Sequence, residues 1–230
     1  KPSFPRGLPT SKIDIGFTLE QARGYIMNRL AAIPQPFAGY FHFLPPHYPY
    51  NTSKEFFNYF NNDGFIPIHK PDDIFAPDER ENLQTKRRLY DEFVLYCDDE
   101  FGKLYNSLEK SGLLENTWLV LTSDHGEMFE RGINGHTSEV LYQPVVRVPM
   151  MIFEPKRMEG MDIYNHTSAI DVLPTLAHVT GEQVPDWSEG VILPPFAPTK
   201  DMPNRNVYVV RATKNGKYDP FTIASFVLIR

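Results

Sequence analysis

The chain has 230 residues, 41% of them hydrophobic and 13% aromatic, and its 29 acidic and 23 basic residues give a net charge of −6. That apolar content supplies a sizeable core and excludes wholesale disorder, and the mild acidity lacks the basic stripe of a nucleic-acid binder. No apolar run approaches the roughly 18 residues needed to cross a bilayer, and a single cysteine, Cys97, excludes both an internal disulfide framework and a Cys-only zinc site.

Such a length accommodates one large domain, or one with a small appendage. Residues 1–11 are extended and Pro-rich, without the apolar core of a signal peptide. The run 221–230 is β-rich and stops without a turn, and the two ends together predict a piece of a longer protein. Residues 18–32 read as an amphipathic helix: Thr18 caps it, Gln21 follows three residues on, and Leu19, Ala22, Ile26 and Leu30 share a face. Pro34 and Pro36 end it, and the aromatic run 37–44 then reads as a buried strand. The longest helical stretch is 79–112, with Leu89, Phe93, Tyr96, Phe101, Leu104 and Leu108 at helical spacing and Ser111-Gly112 as its stop. Residues 117–122 (TWLVLT) form a continuous apolar and β-branched run, the pattern of a strand buried on both faces. A further strand is expected at 146–153, a helix capped by Ser168 at 167–179, and two alternating antiparallel strands at 207–213 and 221–229. Strands separated by helices predict an α/β sheet whose character changes after residue 203.

Two polar clusters follow predicted strands directly, where α/β folds place ligands. The first is Pro45-Pro46-His47-Tyr48-Pro49-Tyr50, and the second is Ser123-Asp124-His125-Gly126-Glu127. A third, Asn134-Gly135-His136-Thr137-Ser138, follows through a Gly-flanked loop. A carboxylate beside an imidazole at Asp124-His125 suits a divalent cation, although two ligands alone are too few. Taken singly, Ser-Asp-His-Gly is equally a turn and His47 equally a surface loop residue. His42 reads as a core or sheet-face residue, Cys97 as core, and Asp98-Asp99-Glu100 as a solvated helix face.

In combination these strings resemble the sulfatase family of the alkaline-phosphatase superfamily. The resemblance rests on Pro46-His47-Tyr48-Pro49-Tyr50, then Tyr96-Cys97-Asp98-Asp99-Glu100-Phe101-Gly102, then Leu121-Thr122-Ser123-Asp124-His125-Gly126-Glu127. Gly135-His136, Val146-Arg147-Val148-Pro149 and Ser168-Ala169-Ile170-Asp171-Val172-Leu173-Pro174-Thr175 continue it in order. It implies a mixed or mostly parallel sheet flanked by helices, truncated here: residues 1–203 as the C-terminal portion of the α/β domain and 204–230 as the start of a small antiparallel C-terminal subdomain. It further implies a sulfuric ester hydrolase in which Asp124 and His125 ligate a divalent cation, calcium foremost and manganese or zinc as alternatives. His47 and His136 are then the catalytic residues that contact the sulfate, with Glu127 orienting the loop and Arg147 ordering the strand entry.

The family nucleophile is a formylglycine made from Cys or Ser in a Cys/Ser-x-Pro/Ala-x-Arg motif. No such motif occurs here, since Cys97 precedes Asp98-Asp99-Glu100 and Ser3-Phe4-Pro5-Arg6 brings its arginine one residue early. The expectation is therefore a sulfatase fragment, inactive by itself, whose nucleophile and remaining ligands lie upstream. The expected partner is a sulfated small molecule or glycan, selected by the loop 51–78 with Phe56, Phe57, Tyr59 and Phe60 available for contact or for a local cluster. A sheet missing strands would also expose an edge for homodimerisation. Two other readings stand beside this one: a phosphonate or phosphodiester hydrolase of the same superfamily, and a non-catalytic scaffold domain.

Overall fold

A computed structural model describes residues 4–6, 18–66, 68–74, 82–136, 140–197, 205–212 and 224–229. The chain divides into two compact units, the first formed by Lys1–Thr117 with Met128–Gly135 and the second by Trp118–Glu127 with His136–Arg230.

The first unit is organised by two helices. Helix α1 (Leu19–Ala32) begins in the expected capping box, Thr18 and Gln21 each serving the other's backbone, and buries Ile26. Helix α2 (Leu83–Lys110) presents Phe93, Tyr96 and Leu108 inward at helical spacing. Phe4, Tyr50, Phe93 and Tyr96 form a buried cluster, onto which Leu19, Phe56, Leu89, Tyr90 and Phe129 pack. Phe93 and Tyr96 stack with parallel rings whose centroids lie 6.0 Å apart. Phe129 comes from a short antiparallel hairpin, β2 (Phe129–Glu130) and β3 (Ile133–Asn134).

Three sequence expectations fail in this unit. Glu100 is buried rather than solvated, because Arg23 and Lys103 both reach its carboxylate. Glu92, unremarked in the sequence, is also buried and takes an ion pair from Arg6 at 2.6 Å. Residues 37–44 are not a strand: they carry no ladder, and Tyr40, Phe41, Phe43 and Leu44 are exposed. An extended apolar run becomes a buried strand only where neighbours supply its hydrogen bonds, and none of the described residues pairs with it. His42 is accordingly exposed.

The second unit holds strands β1 (Leu119–Thr122) and β4 (Met150–Phe153), paired antiparallel from Leu119 opposite Phe153 to Thr122 opposite Met150. Strand β1 is half-buried and its Thr122 is exposed, not covered on both faces. The predicted strand 146–153 starts late, because Pro144 opens a one-turn helix α3 (Gln143–Val146) ahead of it. The expected helix at 167–179 forms as a 3₁₀ turn, Ala169–Asp171, and helix α4 (Val172–Thr180), stopped by Gly181 in the left-handed region. Asp171, passed over as chemistry in the sequence, is fully buried: it accepts the Ser168 and Val191 amides and pairs with Arg205. Its signal was the Ser-x-x-Asp spacing of a capping box. Strands β5 (Val207–Ala212) and β6 (Ala224–Ile229) pair antiparallel, as their alternation predicted. The architecture is mixed α/β, and the three sheets among the described residues are two-stranded antiparallel pairs.

Candidate active site

The loop leaving β1 is fixed by close backbone packing. The Gly126 amide donates to the Val145 carbonyl at 2.8 Å. A β-carbon at Gly126 would stand 2.0 Å from the Pro144 carbonyl oxygen, so only glycine fits against α3. Ser123 Oγ donates to the His125 carbonyl at 2.7 Å, and the His125 amide donates to Asp124 Oδ1 at 2.9 Å. These bonds hold Asp124 and His125 at the strand end with their side chains partly exposed.

The ring orientations follow from their partners. His125 Nδ1 lies 2.9 Å from the Gly126 carbonyl, which can only accept, so Nδ1 carries a proton and, in the neutral ring, Nε2 the lone pair. That Nε2 is 3.8 Å from Asp124 Oδ2. The His136 ring stacks on His125 with centroids 3.8 Å apart and planes inclined by 28°. Its Nδ1 lies 3.0 Å from Oε1 of Glu127, a carboxylate almost fully enclosed. Glu127 thus holds His136 itself rather than the loop alone, a detail that sequence adjacency gave no means to see.

Asp124, His125 and His136 are brought together, therefore, within the second unit. His47 belongs to the first unit, exposed on a turn in which its amide donates to the Leu44 carbonyl at 2.9 Å and its Nδ1 lies 2.6 Å from the Tyr48 carbonyl. The Arg147 side chain is exposed, and its backbone amide closes α3 onto Gln143. Cys97 is partly buried rather than in the core, and burial pushes its thiol up to about 12, which disfavours the thiolate a nucleophile needs. Phe56 packs on the core, Phe57 lies under the Arg6 guanidinium 4.2 Å from its ring centroid, and Tyr59 packs edge-on against Phe60.

An oxygen donor from Asp124 and a nitrogen lone pair on His125, 3.8 Å apart, fit two positions of a divalent-cation shell. Among the described residues no group of three or more His, Cys, Asp or Glu side chains could hold a metal ion, and two donors are fewer than such a shell takes.

This architecture is that of the alkaline-phosphatase-like α/β proteins. The chain belongs to the sulfatase family: the Sulfatase family model matches residues 11–182. Among its relatives, the choline-sulfatase of Rhizobium meliloti is 31% identical over 176 residues, covering 67% of this chain and 34% of that protein. The ulvan-active sulfatase of Formosa agariphila is 26% identical over 176 residues, covering 75% and 34%. The chain thus spans about a third of the length of these two relatives. Among solved structures, a phosphonate monoester hydrolase from Silicibacter pomeroyi superposes with a TM-score of 0.70 at 20% identity, covering 92% of this chain and 51% of that one. A putative sulfatase from Bacteroides fragilis gives 0.69 at 20% identity, covering 84% and 43%. At these identities the two structures speak for the fold.

Proposed function

We propose that this chain is the part of a sulfuric ester hydrolase that supplies half a cation site and the imidazoles facing the sulfate. Asp124 and His125 ligate a divalent cation, and His47 and His136 are the catalytic residues that hold the sulfate oxygens. The observation that carries this is the strand-end cluster in which His136 stacks on His125 beside Asp124. A cation there would supply Lewis-acid polarisation of a bound oxyanion. The protein's own part is to set His125 Nδ1 on the Gly126 carbonyl and His136 Nδ1 on Glu127, so that neither ring must reorient on binding. No Cys/Ser-x-Pro/Ala-x-Arg motif lies in the 230 residues, so a formylglycine nucleophile would come from sequence outside them. Residues 1–203 then belong to the α/β domain and 204–230 begin a second, antiparallel subdomain, represented here by the β5–β6 hairpin. The substrate is a sulfated small molecule or glycan, as the names of the relatives support. Self-association belongs to the same proposal: Tyr208, Val210, Phe226 and Leu228 are exposed on one face of the hairpin, and size-exclusion chromatography showing only monomer would remove it.

The test is the longest natural protein containing this chain, prepared with its formylglycine formed and assayed on 4-nitrophenyl sulfate and a phosphonate monoester. Sulfate hydrolysis is expected to dominate, and Asp124→Ala or His136→Ala to cut kcat by about 10²–10³. Unchanged turnover in both variants would overturn the assignment. The paired imidazoles favour a second reading, since nitrogen donors suit manganese or zinc better than calcium. Faster turnover of the phosphonate ester with one of those ions would establish it.

A further inference from the structure

A hollow of about 440 Å³ lies in the first unit, between the loop 61–66 and the first half of α2. Its floor is four polar side chains, Gln84, Arg87, Arg88 and Asp91, at the i, i+3, i+4 and i+7 positions of one helix face. Its rim carries the Asn61 and Asn62 amides and the exposed side chains of Phe65 and Ile66. Gly64, at φ +73°, and the Asp63 carboxylate, which accepts the Phe65 amide at 2.9 Å, form the turn that presents Phe65.

The charges in the hollow are unequally matched. Arg87 is compensated twice, by the Asp91 carboxylate at 3.6 Å and by the Phe65 ring, whose centroid is 4.0 Å from its guanidinium carbon. The half-buried Arg88 donates only to the Thr85 hydroxyl, at 3.4 Å, with no carboxylate in ion-pair range among the described residues. Burial holds the Asp91 carboxyl above its usual range, the charge of Asp63 adds to this, and Arg87 opposes it, so a donor hydroxyl would be welcome there.

We propose that this hollow binds a pyranose sugar bearing one anionic substituent, sulfate or carboxylate. The guanidinium of Arg88 takes the anion through paired N–H donors. The amides and Asp91 meet ring hydroxyls, and the edge of Phe65 with Ile66 meets the apolar C–H face. Arg87 already occupies one face of the Phe65 ring, which leaves less of it for a stacked nucleobase. The volume suits one or two sugar units. The site is separate in its residues from the proposed hydrolytic cluster and does not depend on turnover.

Amide NMR shifts of the 230-residue chain, titrated with galactose 6-sulfate, galacturonic acid and galactose, test this. Shifts are expected at residues 61–66 and 84–91, with one or both acidic sugars bound about tenfold or more tighter than galactose. Whichever acid sugar binds identifies the anion. Arg88→Ala should abolish the preference and Arg88→Lys should keep part of it, since lysine retains the charge without the fork. Equal affinity for all three sugars, no shifts at millimolar sugar, or Arg88 variants that behave as the parent would each overturn the proposal. So would shifts confined to residues 123–136, which would instead report the proposed sulfate pocket.

Discussion

Gly126 shows how much of the strand-end cluster depends on a missing side chain. The atom that its added β-carbon would meet, at 2.0 Å, is the backbone oxygen of Pro144, which cannot swing aside as a side chain would. Gly126→Ala must therefore push the loop off α3 and strain the hydrogen bond from its amide to the Val145 carbonyl. We expect a stability loss of about 1–3 kcal/mol, the usual cost of overpacking a fitted site. Urea unfolding measures it, and a midpoint equal to that of the parent would show that the loop has slack. The motif Ser-Asp-His-Gly was legible in the sequence as a turn or a ligand pair, and the close approach explains why its fourth residue is glycine. What the string did not contain was the partner: His136 lies eleven positions beyond His125, and only the chain's return at 128–135 lays one ring on the other.

Helices were the readable elements and strands the less readable ones, for a physical reason. Helix α1 carries its own start signal, Thr18 with Gln21, and α2 its own apolar stripe, so both were found close to their true bounds. Residues 37–44 have the composition of a strand, but a strand needs hydrogen-bond partners that no local pattern encodes. The contact of α1 with α2 also hides a polar device. The Tyr96 hydroxyl donates to Glu20 at 2.8 Å and accepts the Leu19 amide at 3.3 Å. Burial works against the Glu20 charge, but hydrogen bonds from Thr18, its own backbone and Tyr96 outweigh it and hold the carboxyl below its ordinary 4.5. Burial, with the Glu20 carboxylate alongside, pushes the Tyr96 phenol well up, so it remains a donor. An acid with a depressed folded-state value adds stability above its ordinary value and loses it as pH falls through the folded one. Thermal stability should therefore fall as pH drops from about 6 to about 3, and Glu20→Gln should flatten part of that fall. An identical pH slope in the variant would show that the helix contact owes nothing to this charge.

For the molecule as a whole, family membership was legible because motifs that are weak singly recur in one order over most of the chain, and the family match at residues 11–182 spans the same ground. Coordination is decided by number and geometry, which order alone does not supply. The described residues provide a carboxylate and an imidazole 3.8 Å apart and no larger ligand group. A calcium ion seeks six to eight oxygens, so two donors hold it only loosely. Ligand binding stabilises a fold in proportion to the logarithm of one plus the ratio of ligand concentration to dissociation constant. Loose binding at millimolar calcium is then worth well under about 1 kcal/mol, which for a chain of this size corresponds to less than about 2–4 °C in Tm. The expected result for the 230-residue chain is a Tm that barely moves with calcium, and an equally small response in Asp124→Ala. A rise of many degrees, abolished by Asp124→Ala, would mean that this chain completes the cation shell by itself and that the proposed hydrolytic site needs less from outside than its two proposed ligands imply.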